Sequence, residues 1–168
     1  MFRHDTHYLS SEDTEVPISL LYIGAVLEKN NHQVKLLDGQ LLSSRELAEK
    51  IEELLSKENY DAIGFSSMSP TASNTQRLSA LVKKIKPDIP VIMGGAHSTV
   101  LGAKVLEELP FVDIAVIGEG EETILELAEL LEGKRKIETI DGIAFRKNKE
   151  IIRTKPRKLI EDLDSLPF

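Results

Sequence analysis

At 168 residues, with 41% hydrophobic and 29% charged side chains, the chain has the size and composition of one globular domain with room for a small appendage. Its net charge of −7 argues against nucleic acid or an anionic membrane surface as the main partner. The absence of cysteine excludes disulfides, zinc–thiolate sites, iron–sulfur ligation and thiol catalysis within this chain.

Residues 1–17 are polar and without a clear period, and are read as loop. From Ile18 to Asn30 the apolar residues Leu20, Leu21, Ile23, Ala25, Val26 and Leu27 form a broad helical stripe that Asn30–Asn31 ends. QVKLLD (33–38) reads as a short strand closed by Asp38–Gly39. A helix from about Ser44 to Lys57 follows, with Ser44 as the expected N-cap and Leu47, Ile51, Leu54 and Leu55 on one face. DAIGFSS is a continuous apolar strand of the kind that a sheet covered on both faces requires. A helix over about 72–86 stops at Pro87, and the strand PVIMG leads to a short helix around 101–108. The strand VDIAVIG (112–118) and a helix from about Glu121 to Leu131 complete the alternation. After Gly133 the pattern changes: TIDGIAFR and EIIRT, joined around Asn148, read as a β-hairpin. The tail KPRKLIEDLDSLPF has neither helical nor strand period and reads as a linker. The expected organisation is therefore an α/β domain over 1–133, a hairpin appendage over 134–155 and a linker over 156–168. No apolar run approaches the length of a membrane span and the N-terminus lacks the pattern of a signal peptide, so a cytoplasmic location is expected.

Alternating helices and strands imply right-handed crossovers in one parallel sheet, a flavodoxin-like (Rossmann-like) α/β fold. That sheet has strand order 2-1-3-4-5, with its first strand in the middle. Nothing before residue 18 looks like this strand; Phe2, His4, Thr6 and Tyr8 alternate with Arg3, Asp5 and His7, which is too polar for a central position. Either the first strand belongs to a longer protein upstream, which is preferred, or a neighbouring chain rebuilds the sheet.

Three strands end in small residues, in AIGFSSMSPT (62–71), PVIMGGAHST (90–99) and IAVIGEGEET (114–123), and all three ends should emerge on one edge of the sheet. That edge is where open α/β sheets bind ligands. Ser66, Ser67, Ser69 and Thr71 supply more hydroxyls than one helix cap needs. Gly94 and Gly95 remove two side chains in succession, leaving room for a bulky group to pass along the edge. His97 points toward the same crevice, either as a surface or satisfied polar residue or as a functional one. The carboxylates of Glu119, Glu121 and Glu122 favour a helix start and would repel phosphate, so the Gly118–Gly120 loop suits amide or hydroxyl groups of a ligand. Asp38 reads as a turn residue, since no G-x-G-x-x-G precedes it. No P-loop, H-E-x-x-H or nucleophile elbow is present, and Ser66–Ser67 stand where a response-regulator receiver needs an aspartate.

These segments, in their order and spacing, resemble the cobalamin-binding domain at the N-terminus of cobalamin-dependent radical-SAM enzymes, the group that includes the anaerobic magnesium-protoporphyrin monomethyl ester cyclase. The resemblance runs from about Val16 to Phe168 through VPISLLYIGAVLEKNNHQVKLLD, IGFSSMSPT, PVIMGGAHST, VDIAVIGEGEETILEL, DGIAFRKNKEIIR and LIEDLDSLPF. It implies a cofactor-binding module that is not catalytic alone. The flat corrin would lie over the sheet edge and its nucleotide tail would thread a slot at Gly94 and Gly95. Ser66 matches the serine of a Ser-x-Leu element, with Met68 in place of the leucine, and would hydrogen-bond the benzimidazole. His97, Ser98, Gly118, Glu119 and Gly120 would line the slot. The closing segment would lead to an adjoining radical-SAM barrel, whose CxxxCxxC motif would carry the iron–sulfur cluster and bind S-adenosylmethionine; the complete enzyme would be a methyltransferase or a tetrapyrrole cyclase. Many corrinoid folds place a cobalt-ligating histidine in Asp-x-His-x-x-Gly; here the nearest string is Asp5-Thr6-His7-Tyr8-Leu9-Ser10, with Ser in place of the Gly. The radical-SAM branch often lacks that histidine, so no protein ligand to the metal is expected. The competing possibilities are a stand-alone flavodoxin-like nucleotide-binding domain using His97 as an acid–base residue, and a ligand-free interaction domain stabilised as a homo-oligomer.

Overall fold

In a computed structural model, residues 16–40, 42–148 and 150–167 are described. His7 and the polar alternation at 2–8 lie outside them. The helices are α1 (Ile18–Lys29), α2 (Ser44–Lys57), α3 (Ala72–Ile85), α4 (Ala96–Leu101), α5 (Lys104–Glu108) and α6 (Glu121–Leu131). The strands are β1 (Ile63–Ser66), β2 (Val91–Gly94), β3 (Ile114–Val116), β4 (Ile143–Lys147) and β5 (Glu150–Arg153), in the order β1-β2-β3-β4-β5. The first three are parallel, and the hairpin continues the same sheet antiparallel, with Ala115 opposite Ala144.

The middle strands are covered on both faces, which explains their continuous apolar runs. Val91 and Met93 face Leu55, Leu78, Val82, Val105 and Leu106 from α2, α3 and α5. Ile92 and Ile114 turn the other way and join Val116, Leu127, Ile143 and Phe145. Met93, Leu106, Val91 and Ala115 are wholly inaccessible to solvent. In the hairpin, Lys147 pairs with Glu150 and Asn148 takes a left-handed conformation (φ 50°), as a tight two-residue connection requires.

Three details differ from the sequence expectation. Segment 33–38 is not a strand: no ladder includes it. In the 2-1-3-4-5 order such a segment would pair only with the first strand, and among the described residues no strand lies on that side of β1. It packs instead through side chains, with Leu37 on the α2–α3 core, Leu36 against Gly24 of α1, and Lys35 paired with Glu58 at 2.5 Å. Asp38 accepts from the N–H of Gln40 at 3.0 Å, a local turn bond. The cap of α2 is Ser43 rather than Ser44, because Glu46 stands three residues on and closes a capping box. The short helix expected around 101–108 is two, α4 and α5, broken at Gly102, so a helix begins directly after Gly95.

Candidate functional site: a rim of small residues

Parallel pairing in register brings the carboxyl ends of β1, β2 and β3 to one edge, where Ser66 lies opposite Gly94. The three loops that leave this edge are joined to one another. The Ser67 N–H donates to Gly94 O (3.1 Å) and the His97 N–H donates to Ser67 O (3.1 Å), which locks the first loop to the second. Thr99, in the first turn of α4, donates its hydroxyl to Gly95 O and accepts from the Gly118 N–H, both at 3.1 Å, which locks the second to the third. The residues expected to converge therefore do so.

Each then takes a distinct place. Ser66, Met68, Ser69 and Thr71 are exposed, while Ser67 is buried. Ser67 Oγ accepts from Thr75 Oγ1 at 3.1 Å and donates to Met68 O at 3.2 Å, and lies 3.3 Å from Thr71 Oγ1. Thr71 closes the turn by accepting from the Met68 N–H (3.1 Å) and donating to Met68 O (3.0 Å). Ser98 is fully buried and donates to Val116 O at 2.8 Å, tying α4 to β3. Ser67 and Ser98 thus support the rim from beneath, with both hydroxyls engaged by protein groups.

The glycines divide in the same way. Gly95 has φ +95°, and a Cβ there would meet Ser67 O at 2.6 Å, so backbone and packing both demand glycine. A Cβ on Gly94 would meet nothing closer than Val116 Cβ at 3.9 Å, an ordinary contact. The fold does not need glycine at 94; a group lying along the edge would. Gly118 has φ +88° with open space where a side chain would project. At Gly120 a Cβ would press on Ile23 Cδ1 at 3.1 Å. Glu119, between these two glycines, uses one carboxylate oxygen to accept from the Ile160 N–H at 2.7 Å.

His97 is only 8% exposed. Its Nδ1 is 3.0 Å from Ser69 Oγ, and its buried Nε2 lies 3.6 Å from Glu108 Oε2. The histidine braces the Ser69 turn from below. Among the described residues no group of three or more His, Asp or Glu side chains could hold a metal ion. No helix there is long and apolar enough to cross a membrane.

A cavity of about 370 Å³ lies elsewhere, between the ends of α2 and α3 at Tyr60, Ile85 and Pro87. It is remote from the converging loops; a smaller cavity of about 160 Å³ lies beside them, at Thr99, Gly118, Gly142 and Arg157. Thr99, Thr75 and the Ile160 contact were not legible in the sequence. A threonine in a helix and a linker isoleucine carry no signal until the chain is folded.

The profile of the B12 binding domain matches residues 8–128, more than half of the chain. The chain belongs to the B12 binding domain family. Curated relatives of this B12 binding domain include an anaerobic magnesium-protoporphyrin IX monomethyl ester cyclase from Synechocystis sp., 33% identical over 154 residues, 88% of this chain and 30% of that protein. An uncharacterized methyltransferase from Pyrococcus horikoshii is 29% identical over 155 residues, 92% of this chain and 33% of that protein. The chain thus spans about a third of the length of these relatives. Among solved structures, the radical S-adenosylmethionine methyltransferase TsrM from Kitasatospora setae, with cobalamin and an iron–sulfur cluster bound, superposes with TM-score 0.76 at 19% identity, over 95% of this chain and 30% of that one. The cobalamin-dependent radical enzyme OxsB, with aqua-cobalamin and S-adenosylmethionine bound, gives TM-score 0.71 at 19% identity, over 86% and 20%. At these identities the two structures establish the B12-binding, Rossmann-like fold of the domain.

Proposed function

We propose that the rim holds cobalamin, with its nucleotide tail passing over Gly94 and its polar groups meeting Ser66, Ser69 and the Gly118–Gly120 loop. The observation that carries this reading is the room at Gly94, which the fold does not require, beside an exposed Ser66 hydroxyl and an open Gly118. Side-chain-free backbone at two of the three strand ends, with hydroxyls at the third, fits a broad, flat ligand with a tail. Ser67, Thr71, His97 and Ser98 hold the loops in place from below. Bound cobalamin supplies a cobalt centre able to carry an alkyl group; the residues of this chain contribute binding and orientation.

The whole protein is then a radical-SAM methyltransferase or tetrapyrrole cyclase acting in the cytoplasm. An adjoining barrel holds the iron–sulfur cluster and S-adenosylmethionine. Incubation with hydroxocobalamin followed by gel filtration tests the binding step: a corrinoid absorbance band should travel with the wild-type protein. Gly94→Val should lose the band while keeping the wild-type circular dichroism. A protein peak without corrinoid would overturn the reading.

The outer edge of β1 favours a second reading: among the described residues β1 pairs with β2 alone. An unpaired strand edge is a template for another strand, which is the feature an interaction domain built on a second copy would use. Light scattering separates the two: a monomer that retains corrinoid rules out the second.

A further inference from the structure

The segment expected as a linker makes hydrogen bonds and ion pairs with the domain. The Gly142 N–H donates to Lys155 O at 2.7 Å, and a Cβ on Gly142 would approach Arg157 Cβ to 3.0 Å. The Arg157 side chain is nine-tenths buried and its guanidinium bridges two carboxylates one turn apart on α6, Glu122 at 2.9 Å and Glu126. Three residues later the Ile160 N–H reaches Glu119 at 2.7 Å, across 41 residues of sequence. Arg157 therefore grips the first turns of α6 while Ile160 holds the loop that leads into it. From Glu119 the connection continues inward: its neighbour Gly118 donates to Thr99, and Thr99 donates to Gly95 O in the middle of the rim. One path of hydrogen bonds joins the tail to the second and third rim loops.

We propose that segment 155–160 is a strap that sets the conformation of the third rim loop, with Glu119 and Arg157 as its positioning residues. Docking of the tail and binding at the rim are then linked, and by reciprocity each strengthens the other. The ligand part of this proposal rests on the reading of the rim as a cobalamin site; the strap itself does not. The physical basis is that the Gly118 turn has no side-chain packing of its own. Its geometry is held by the bond from Gly118 to Thr99 and, through Glu119, by the tail, alongside the bonds from Thr123 Oγ1 to Glu119 O (3.4 Å) and from the Ile124 N–H to Gly120 O (2.8 Å).

Amide hydrogen exchange on the full chain tests the strap without ligand. E119A and R157A should each speed exchange at Ile160 and Gly118 by about fivefold or more, the lower end of usual coupling effects. E119Q keeps an acceptor oxygen and should stay within about twofold of wild type. Core amides at Met93 and Ala115 should keep their wild-type rates in all three. Wild-type rates at Gly118 in both E119A and R157A would overturn the strap, as would an equal rise across the core. With hydroxocobalamin, R157A should bind about fivefold more weakly, and bound corrinoid should slow exchange at Ile160. Equal corrinoid affinity in wild type and R157A would overturn the linkage. A wild-type protein that retains no corrinoid would instead sink the cobalamin reading and the linkage together, and the ligand-free exchange rates would still decide the strap.

Discussion

The centre of the sheet and its β1 margin are built on different terms. At β2, β3 and β4 both faces are covered, and Val91, Met93, Ala115 and Ala144 have no solvent exposure. At β1 only alternate residues are covered: Ile63 and Phe65 pack on the α2–α3 side, while Gly64 and Ser66 are exposed. The centre owes its stability to area removed from water, which is large and insensitive to detail. The margin depends on individual hydrogen bonds among Ser67, Thr71, Thr75 and His97. The ligand edge draws on both: β2 and β3 present it rigidly, and the β1 loop is tuned by hydroxyls.

Substitutions should expose that contrast. The largest effect is expected at the centre, where Phe145→Ala empties a site that is 1% exposed and should cost about 3–5 kcal/mol in urea denaturation. A loss below about 1 kcal/mol would mean that β4 is not part of the common core. At the junction of the two regions, Gly95→Ala forces a Cβ onto Ser67 O in a left-handed backbone, with an expected cost of about 1–3 kcal/mol. That variant should also lose the bond from the His97 N–H to Ser67 O, visible as faster amide exchange at His97. At the margin the sign should reverse: Gly64→Ala meets nothing within 4 Å and should be neutral or stabilise by up to about 0.5 kcal/mol, since glycine weakens a strand. A clear destabilisation would show that position 64 is covered in solution.

The smallest effect lies on the outer surface of α2. Hydrogen bonds from Lys50 and Lys57 lower the Glu53 carboxyl from 4.5 to about 2. A depressed folded-state value stabilises the charged form, so the contribution is complete above about pH 4.5 and is lost as pH falls through about 2. The side chain is 41% exposed and screened by solvent, so the effect should be small and weaken further in salt. Carbon-detected titration of Glu53 should show the lowered midpoint, and an ordinary midpoint would show that the surface pairs do not persist.

Much of this was legible because burial writes itself into sequence. The runs at 91–93 and 114–116 are apolar because both faces are covered, and Asn148 marks its turn through the backbone it permits. The three converging strand ends were legible for the same reason. Segment 33–38 misled because Val34, Leu36 and Leu37 satisfy the pattern of a strand, whereas pairing depends on a neighbour that local pattern does not reveal. The helix at 96–101 was missed because His97, Ser98 and Thr99 are weak helix formers; their burial and tertiary hydrogen bonds hold it. The docked tail was hidden because Arg157 and Glu119 are ordinary charged residues until folding brings them to their partners. The division of Ser66 from Ser67 into exposed and buried roles follows only from the direction of one strand.

The most direct test is the ratio of corrinoid to protein after hydroxocobalamin is passed with the chain through gel filtration. Approach to one corrinoid per chain, abolished by Gly94→Val, is the result expected of a tail lying over that glycine. A wild-type chain eluting folded and colourless would contradict it.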